Sequence, residues 1–307
     1  MNILHDYKKE IFDLGKINEL SITNVKKLIE DSEELYHKQV DDVADEIVKN
    51  GEYKIILLAG PSSSGKTTTS NLLRKNLAKH GYESVVVSLD DFFVDRELTP
   101  RLPNGDYDYE NITTLDLDYL NKFADDLFAK GKALMPTFNF ITGRREKEYK
   151  NLELTNKTIV IMEGIHALNP ILFKNHNSQM YKIYICVNTN FEIDNQMLMP
   201  AQKVRLMRRL IRDINNRGMS LEDTFHVWTN VLAGEDIYIK PYKNTADYLI
   251  NSTHAYEPLM YAYKLLPLLK KEGINNNTQP LINMLEKCEK LSPKLLPENS
   301  LLHEFLD

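Results

Sequence analysis

The sequence predicts a three-layer α/β/α fold with a mostly parallel central sheet and helical extensions at both ends. Short apolar runs alternate with longer amphipathic segments, which is the pattern of strands covered by helices on both faces. Residues 1–50 and 253–307 carry helical periodicity without such alternation. The 307 residues are 42% hydrophobic and 27% charged, so the composition indicates neither a disordered nor a fibrous protein.

Each element of this prediction has its own segment. Apolar runs predict the strands 54–59, 84–89, 158–162, 182–187 and 248–250. Apolar residues at helical spacing predict the helices 66–80, 116–130, 201–217, 255–271 and 278–290. We therefore divide the chain into a helical N-terminal extension (1–50), an α/β domain (51–252) and a helical C-terminal extension (253–307).

The bulk numbers exclude several classes of protein. A net charge of −6 argues against a general nucleic-acid binder. The two cysteines, Cys186 and Cys288, do not have metal-ligand spacing, which argues against a zinc site. No run approaches the roughly 20 apolar residues that span a bilayer, and the N-terminus lacks a signal-peptide core. We expect a cytoplasmic protein that binds neither nucleic acid nor membrane, and the sequence leaves a homo-oligomer open.

The strongest local pattern is Gly-Pro-Ser-Ser-Ser-Gly-Lys-Thr at 60–67, between a predicted strand and a predicted helix. It matches the phosphate-binding loop, in which backbone N–H groups and the helix N-terminus hold the phosphates of a nucleotide. Lys66 then reaches the β- and γ-phosphates, and the Thr67 hydroxyl binds Mg²⁺. The predicted ATP-binding residues of the loop are Gly60, Ser62, Ser63, Ser64, Gly65, Lys66, Thr67 and Thr68. The α/β domain is therefore predicted to have the P-loop NTPase fold.

Acidic residues follow two other predicted strands. Asp90 and Asp91 end the strand 84–89, and Glu163 follows the strand 158–162. Carboxyl ends of parallel strands meet at one edge of the sheet, so these side chains should lie near the loop. We assign Asp90 as the base that orients and deprotonates an attacking hydroxyl, and Glu163 as the second Mg²⁺ residue beside Thr67. For Asp91, a turn-capping role is favoured.

Basic residues concentrate on the helix 201–217. A solvated basic face is one interpretation of this cluster, and a lid of about 201–220 that closes over the triphosphate is the other. Arginine suits the lid interpretation because its planar guanidinium group binds phosphate oxygens in pairs. The arginines are Arg205, Arg208, Arg209, Arg212 and Arg217.

Together, these segments resemble the uridine kinase/phosphoribulokinase family over about residues 53–252. The matching segments are 60–68, 88–93, 107–110, 136–140 with Arg145, 163–166, and 205–213 with 217–218 and 246–247. A closer likeness is to bacterial uridine kinase-like proteins with an N-terminal domain related to threonyl-tRNA synthetase, which is expected to be absent here. The segments 96–100, 163–170 and 299–306 carry that likeness.

The resemblance implies ATP-dependent phosphorylation of the 5′-hydroxyl of a nucleoside. Glu110 matches the acid that binds ribose hydroxyls, Phe138 and Phe140 match aromatic residues that flank the base, and Tyr109 is expected to add to that aromatic wall. The resemblance also implies that Arg209 and Arg212 take part in catalysis and that Arg208 and Arg217 bind ATP. The implied acceptor-binding residues are Asp90, Tyr109, Glu110, Phe138, Phe140, Arg145 and Arg209.

The acceptor's base is where the sequence departs from the family. Pyrimidine kinases of the family read the base with His, Arg and Gln, and the aligned positions here are Gly143, Met219 and Val227. None of these side chains makes those hydrogen bonds, which leaves a non-pyrimidine nucleoside or a sugar phosphate open. A nucleotide-binding regulatory module with low turnover is the alternative from another class.

Overall fold

The computed structural model describes residues 9–174, 176 and 179–307. The strands are β1 (Glu10–Asp13), β2 (Ile55–Ala59), β3 (Glu83–Ser88), β4 (Lys132–Met135), β5 (Phe138–Asn139), β6 (Arg144–Arg145), β7 (Lys150–Glu153), β8 (Thr158–Glu163), β9 (Met180–Cys186), β10 (Thr189–Ile193), β11 (Gln196–Met199) and β12 (Tyr248–Asn251). The α-helices are α1 (Leu14–Thr23), α2 (Val25–Asn50), α3 (Lys66–Lys79), α4 (Leu117–Lys130), α5 (Ala201–Arg217), α6 (Leu221–Tyr238), α7 (Glu257–Glu272), α8 (Thr278–Leu285) and α9 (His303–Leu306).

The predicted three-layer α/β/α fold is confirmed, and its five-stranded central sheet is parallel throughout, in the order β12-β9-β2-β8-β3. All five predicted strands are present in it. The middle strand, β2, is completely buried, and its alternate residues enter two different cores. Ile56 and Leu58 join the core under α2, α3, α5 and α7, while Ile55 and Leu57 join the core under α4. The sheet is therefore covered on both faces, as a continuous apolar strand requires.

Several elements escaped the sequence prediction. A small sheet of order β1-β10-β11 stands beside the main one, and two hairpins, β4-β7 and β5-β6, precede β8. β1 was predicted as part of a helix, because its four residues show no strand pattern of their own. It becomes a strand by pairing in parallel with β10, 176 or more residues away in the chain. The helix α6 was also not predicted. Residues 1–8 of the predicted helical extension lie outside the described residues.

The helix α2 packs on the face of the sheet that carries α3. Asn24 caps its N-terminus by accepting from the Lys27 N–H, and Gly51 ends it in the left-handed region with φ 73°. Val40 and Val43 are completely buried in the shared core. The Tyr36 hydroxyl lies 2.7 Å from the Thr69 hydroxyl on α3. The α2 helix thus supports the element that follows the phosphate loop.

Across the described ranges, every helix is too short or too polar to cross a lipid bilayer.

Candidate nucleotide and phosphoryl-transfer site

The loop 60–67 joins β2 to α3 at the carboxyl edge of the sheet. Gly60 has no room for a side chain, since a Cβ there would lie 2.2 Å from the Ile185 carbonyl oxygen. Gly65 begins α3 with φ 94°, and Ser63 takes φ 60°, a left-handed conformation that is uncommon outside glycine. Such local strain is typical of ligand-binding turns.

Buried hydroxyls mark the interior of this loop. Ser63 is 3% exposed and Ser64 is completely buried, yet the Oγ of each has no hydrogen-bond partner. Burying a hydroxyl without a partner costs free energy, so two in one turn indicate a polar ligand. A phosphate group, with several acceptor oxygens, fits these donors and the N-terminus of α3.

Lys66 lies folded back on the loop. Its Nζ donates to the carbonyl oxygens of Gly60, at 3.0 Å, and Pro61, at 3.3 Å. Burial lowers the pKa of Lys66, and the negative charges of Glu163 and Asp90 act against that shift. The ammonium group is therefore within electrostatic reach of both carboxylates that the sequence placed beside the loop.

The two carboxylates come from neighbouring strands. Asp90 lies in the 3₁₀ turn Leu89–Phe92 after β3, where its N–H donates to the Ser88 Oγ at 3.3 Å. Burial raises the pKa of Asp90, and the charge of Lys66 opposes this. Glu163 is the last residue of β8 and is 8% exposed. Burial raises the pKa of Glu163 to about 7, with Lys66 opposing and Asp90 reinforcing the shift.

These side chains fit Mg²⁺ in the way a phosphate-loop site binds it. Mg²⁺ keeps several waters and takes one or two protein oxygens together with phosphate oxygens. Thr67 presents an exposed hydroxyl at the start of α3, and the buried Glu163 carboxyl faces the Lys66 side of the loop. Among the described residues, no group of three or more acidic, His or Cys side chains forms a separate metal site.

The Asp91 carboxylate contacts β5 and not the phosphate loop. Its Oδ1 accepts the Phe138 N–H at 3.1 Å and so holds the start of β5. The favoured structural role of Asp91 therefore agrees with this contact.

Glu110 is the acidic residue predicted to bind the acceptor. Its Oε2 is buried without a hydrogen-bond partner. Glu110 also packs tightly against Gly234 on α6, because a Cβ added to Gly234 would lie 2.2 Å from the Glu110 Cβ. Burial raises the pKa of Glu110 to about 7, while Arg209 and Lys66 oppose the shift. The structure thus brings Glu110 within electrostatic reach of the residues beside the phosphate loop.

The aromatic residues predicted to flank a base form an edge-to-face cluster. Phe138 packs against Phe93 with ring centroids 5.6 Å apart and against Phe140 at 5.2 Å. Phe138 is 7% exposed, whereas Phe140 is 57% exposed and Tyr109 is 49% exposed. Phe140 and Tyr109 therefore have ring surface free for a ligand, and Phe138 mainly supports Phe140.

Three of the arginines share one buried carboxylate. Asp213 is completely buried and accepts from Arg209 Nε at 3.0 Å and from Arg212 Nη2 at 2.8 Å. Arg217 Nε lies 3.5 Å from the same carboxylate. Arg209 also donates to the Ser62 Oγ at 3.0 Å, which links the cluster to the phosphate loop. Asp213 holds together three cations that would otherwise repel each other.

Arg208 corrects the sequence interpretation. It is completely buried, and its guanidinium donates to both Glu257 oxygens, at 2.8 and 3.0 Å, and to Ser252. A weaker contact at 3.4 Å reaches the Ser63 carbonyl from beneath the loop. All its N–H groups are engaged within the chain, so the predicted direct contact of Arg208 with ATP is wrong.

The helix of the predicted lid packs in the core. Val204, Met207 and Leu210 of α5 are completely buried, so the structure shows this helix as a core element, and a closing movement of residues 201–220 stays a prediction. Arg205 fixes the helix further through two bonds to Glu235 on α6, at 2.8 and 2.7 Å, and one to the Ser62 carbonyl at 3.1 Å.

Arg145 is only partly engaged within the chain. It donates to Asp116 at 3.1 Å and to the carbonyl oxygens of Phe92 and Phe93, both at 3.2 Å, while its buried Nε has no partner. These bonds hold the β5-β6 hairpin against the turn that carries Asp90. Arg145 therefore has a positioning role, and its contact with the acceptor stays a prediction.

Sequence reasoning missed three residues that the structure brings to the site. Asp213 and Glu235 hold the arginines, and the signal for Asp213 was its place inside the basic segment. The third residue is His166. Its ring is 2% exposed, and burial with the nearby Lys66 charge lowers its pKa to about 4, against the opposing effect of a hydrogen bond with the Glu110 backbone. A neutral imidazole therefore lies near Lys66 and the Glu110 backbone.

Comparison with known proteins places this site in a family. Residues 55–257 match the model of the Phosphoribulokinase / Uridine kinase family. The uridine kinases of Staphylococcus haemolyticus and Staphylococcus epidermidis are 28% and 29% identical over 197 residues, which cover 64% of this chain and 86% of each relative. A solved structure of a candidate fructose transport system kinase from Silicibacter sp. TM1040 superposes with a TM-score of 0.51 at 17% identity, covering 68% of this chain and 98% of that one, and supports the fold. The chain therefore belongs to the phosphoribulokinase/uridine kinase family of P-loop kinases.

Proposed function

We propose that this protein transfers the γ-phosphoryl group of ATP to the 5′-hydroxyl of a nucleoside. The observation that carries the proposal is the meeting of Lys66, Asp90 and Glu163 at the carboxyl edge of the sheet, where both carboxylates interact electrostatically with Lys66 and the charge of Asp90 also acts on Glu163. A cation, a candidate base and a candidate Mg²⁺ residue are the parts that in-line phosphoryl transfer needs.

In this proposal, Asp90 orients the acceptor hydroxyl and accepts its proton. Burial raises the pKa of Asp90, which makes its carboxylate a better proton acceptor than an exposed one. Lys66 leaves the loop carbonyls to bind the β- and γ-phosphates. Thr67 and Glu163 would hold Mg²⁺, which would supply positive charge to neutralise the phosphates.

The arginine cluster is proposed to bind the group in transfer. Arg209 and Arg212 stabilise the negative charge on the phosphoryl oxygens, and Arg217 contacts ATP at the outer end of the same cluster. Asp213 holds these guanidinium groups in place before the substrates arrive, so little reorganisation is needed during the reaction.

The acceptor is proposed to lie against Glu110. Its carboxyl would accept hydrogen bonds from vicinal ribose hydroxyls, and Phe140 and Tyr109 would stack on the base. The neutral imidazole of His166, which lies near Lys66 and the Glu110 backbone, would supply a further polar contact.

A second candidate keeps the chemistry and changes the acceptor to a non-pyrimidine nucleoside or a sugar phosphate. Gly143, one of the three positions that depart from pyrimidine kinases, lies in the turn between β5 and β6 with φ 71°. A Cβ there would come within 2.8 Å of the Arg96 guanidinium, so Arg96 fills the space that a base-reading side chain would need.

An acceptor screen tests the proposal. The protein with ATP and Mg²⁺ is offered pyrimidine nucleosides, purine nucleosides and sugar phosphates, and ADP release is measured for each. Stimulation by a pyrimidine nucleoside, with the 5′-monophosphate as product, supports the first proposal. Stimulation by a purine nucleoside or a sugar phosphate alone would move the assignment to the second candidate. Release of no ADP with any acceptor would favour a regulatory nucleotide-binding module.

A further inference from the structure

The C-terminal segment 299–306 lies against the phosphate loop. A Cβ on Gly65 would be 2.4 Å from the Leu301 Cδ1, so the Leu301 side chain closely contacts the loop. Leu301, Leu302, Phe305 and Leu306 are completely buried. This segment lies beyond the residues that match the family model, which end at 257.

Glu304 of this segment binds two groups of the proposed nucleotide site. Its Oε2 accepts the Thr68 backbone N–H at 3.2 Å and the Thr68 hydroxyl at 2.7 Å. Thr68 belongs to the first turn of α3, whose free N–H groups and positive helix end favour an anion. The Glu304 carboxylate therefore takes donors that a nucleotide phosphate would use.

We propose that Glu304 competes with the nucleotide for Thr68 and so sets the nucleotide affinity of this protein. The inference rests on the proposed binding of ATP by the phosphate loop and adds a regulatory contact to that site. A phosphate gains the Thr68 donors only when the Glu304 side chain turns away. Its negative charge, if it stayed, would also repel the phosphate.

Only the Glu304 side chain has to move for the Thr68 donors to become free. Phe305 lies against Arg208, with the guanidinium carbon 4.9 Å from the ring centroid, and Asn215 Nδ2 donates to the Asp307 carbonyl at 2.8 Å. These contacts hold the segment on α5. Glu304 itself is only partly buried, so its carboxylate can turn from Thr68 towards solvent while the segment stays in place.

The size of the effect follows from competition. When a ligand binds only the fraction of molecules with an open site, its apparent Kd rises in inverse proportion to that fraction. Two charge-assisted hydrogen bonds keep the open fraction small. Glu304→Ala should therefore tighten the binding of ADP and of Mg²⁺–ATP by about tenfold or more. Glu304→Gln loses the charge but keeps an acceptor, and should give a smaller gain.

The experiment is a calorimetric titration of the full chain with ADP or Mg²⁺–ATP, without any acceptor. The control is Glu298→Gln, which makes the same charge change at an exposed position directly before the segment and should leave the Kd unchanged. Melting temperatures are measured in parallel. If Glu304→Ala does not fold, Glu304→Gln answers the question alone.

The outcomes separate the two proposals. Tighter nucleotide binding by the Glu304 variants supports the competition. An unchanged or weaker Kd together with a lower melting temperature overturns it and makes Glu304 a structural cap of α3. Nucleotide binding to none of the proteins overturns the competition and the proposed function together. Tighter binding without turnover on any acceptor leaves the competition supported and the nucleoside kinase assignment wrong.

Discussion

At the residue scale, a substitution of Asp90 tests the phosphoryl-transfer step separately from nucleotide binding. Asp90→Asn keeps the size of the side chain but cannot accept the proton, so kcat should fall by about 10²–10⁴-fold. The Kd for ATP should change little, because the phosphate-loop donors are untouched. Steady-state ADP release and calorimetry measure the two quantities. Asp91→Asn is the matched control, because an amide oxygen can still accept the Phe138 N–H. Near-full activity of Asp90→Asn would contradict the assignment of the base.

Glu110 makes a prediction about pH and stability in the protein without ligands. Burial raises its pKa from 4.5 to about 7, so the folded state binds this proton more tightly than the unfolded state. The folded protein therefore loses stability as the pH rises from about 4.5 to 7 and carries the full penalty above 7. Glu110→Gln should raise the melting temperature at pH 8 and leave it almost unchanged at pH 4. An equal effect at both pH values would show that the carboxyl does not titrate in this way.

At the element scale, the position of α5 depends on buried ion pairs. Asp213→Asn removes the charge that holds Arg209, Arg212 and Arg217 together, and breaking such a buried pair costs about 3–5 kcal/mol. The free energy of unfolding, from urea titration without nucleotide, should fall by that order. Asp236→Asn on α6 is the control, because that carboxylate is 65% exposed in its pair with Lys240 and surface pairs contribute about 0–1 kcal/mol. Equal losses in both variants would contradict a central role for Asp213.

The elements also show where sequence reasoning succeeds and where it stops. Continuous apolar runs are enough to predict β2, β8 and β9, because a strand buried on both faces carries its own signal. β1 carries none, since its four residues become a strand only through pairing with distant β10. In the same way, the glycines and Lys66 of the phosphate loop have fixed spacing, whereas the contact between Thr68 and Glu304 joins residues 236 positions apart. Non-local pairing is the part that a single sequence does not reveal.

At the scale of the whole molecule, the boundary near residue 51 is still a prediction, and the packing of α2 opposes treating residues 1–50 as a separable unit. Five of the larger aliphatic side chains of α2 lie in the core that also contains Leu73 and Leu77 of α3: Leu28, Ile29, Val40, Val43 and Ile47. Burying each aliphatic side chain contributes roughly 1.5–3 kcal/mol. The net stability of a domain is only about 5–15 kcal/mol, so the loss of all five buried side chains would remove most or all of it.

A chain shortened to begin at Gly51 should therefore fail to fold into a nucleotide-binding protein. We expect it to be largely insoluble, or to lack a cooperative thermal transition and calorimetric ADP binding.

Val43→Asp in the full chain tests the same packing by placing a charge at a completely buried position, and should lower the melting temperature strongly. Asp45→Asn is its control, because the Asp45 side chain is 69% exposed on the same helix. If the shortened chain melts cooperatively at the full-length temperature and binds ADP equally well, then α2 is an accessory to an independent α/β domain. If it does not, the phosphate loop depends on α2, which supports α3 from behind through contacts such as that of Tyr36 with Thr69.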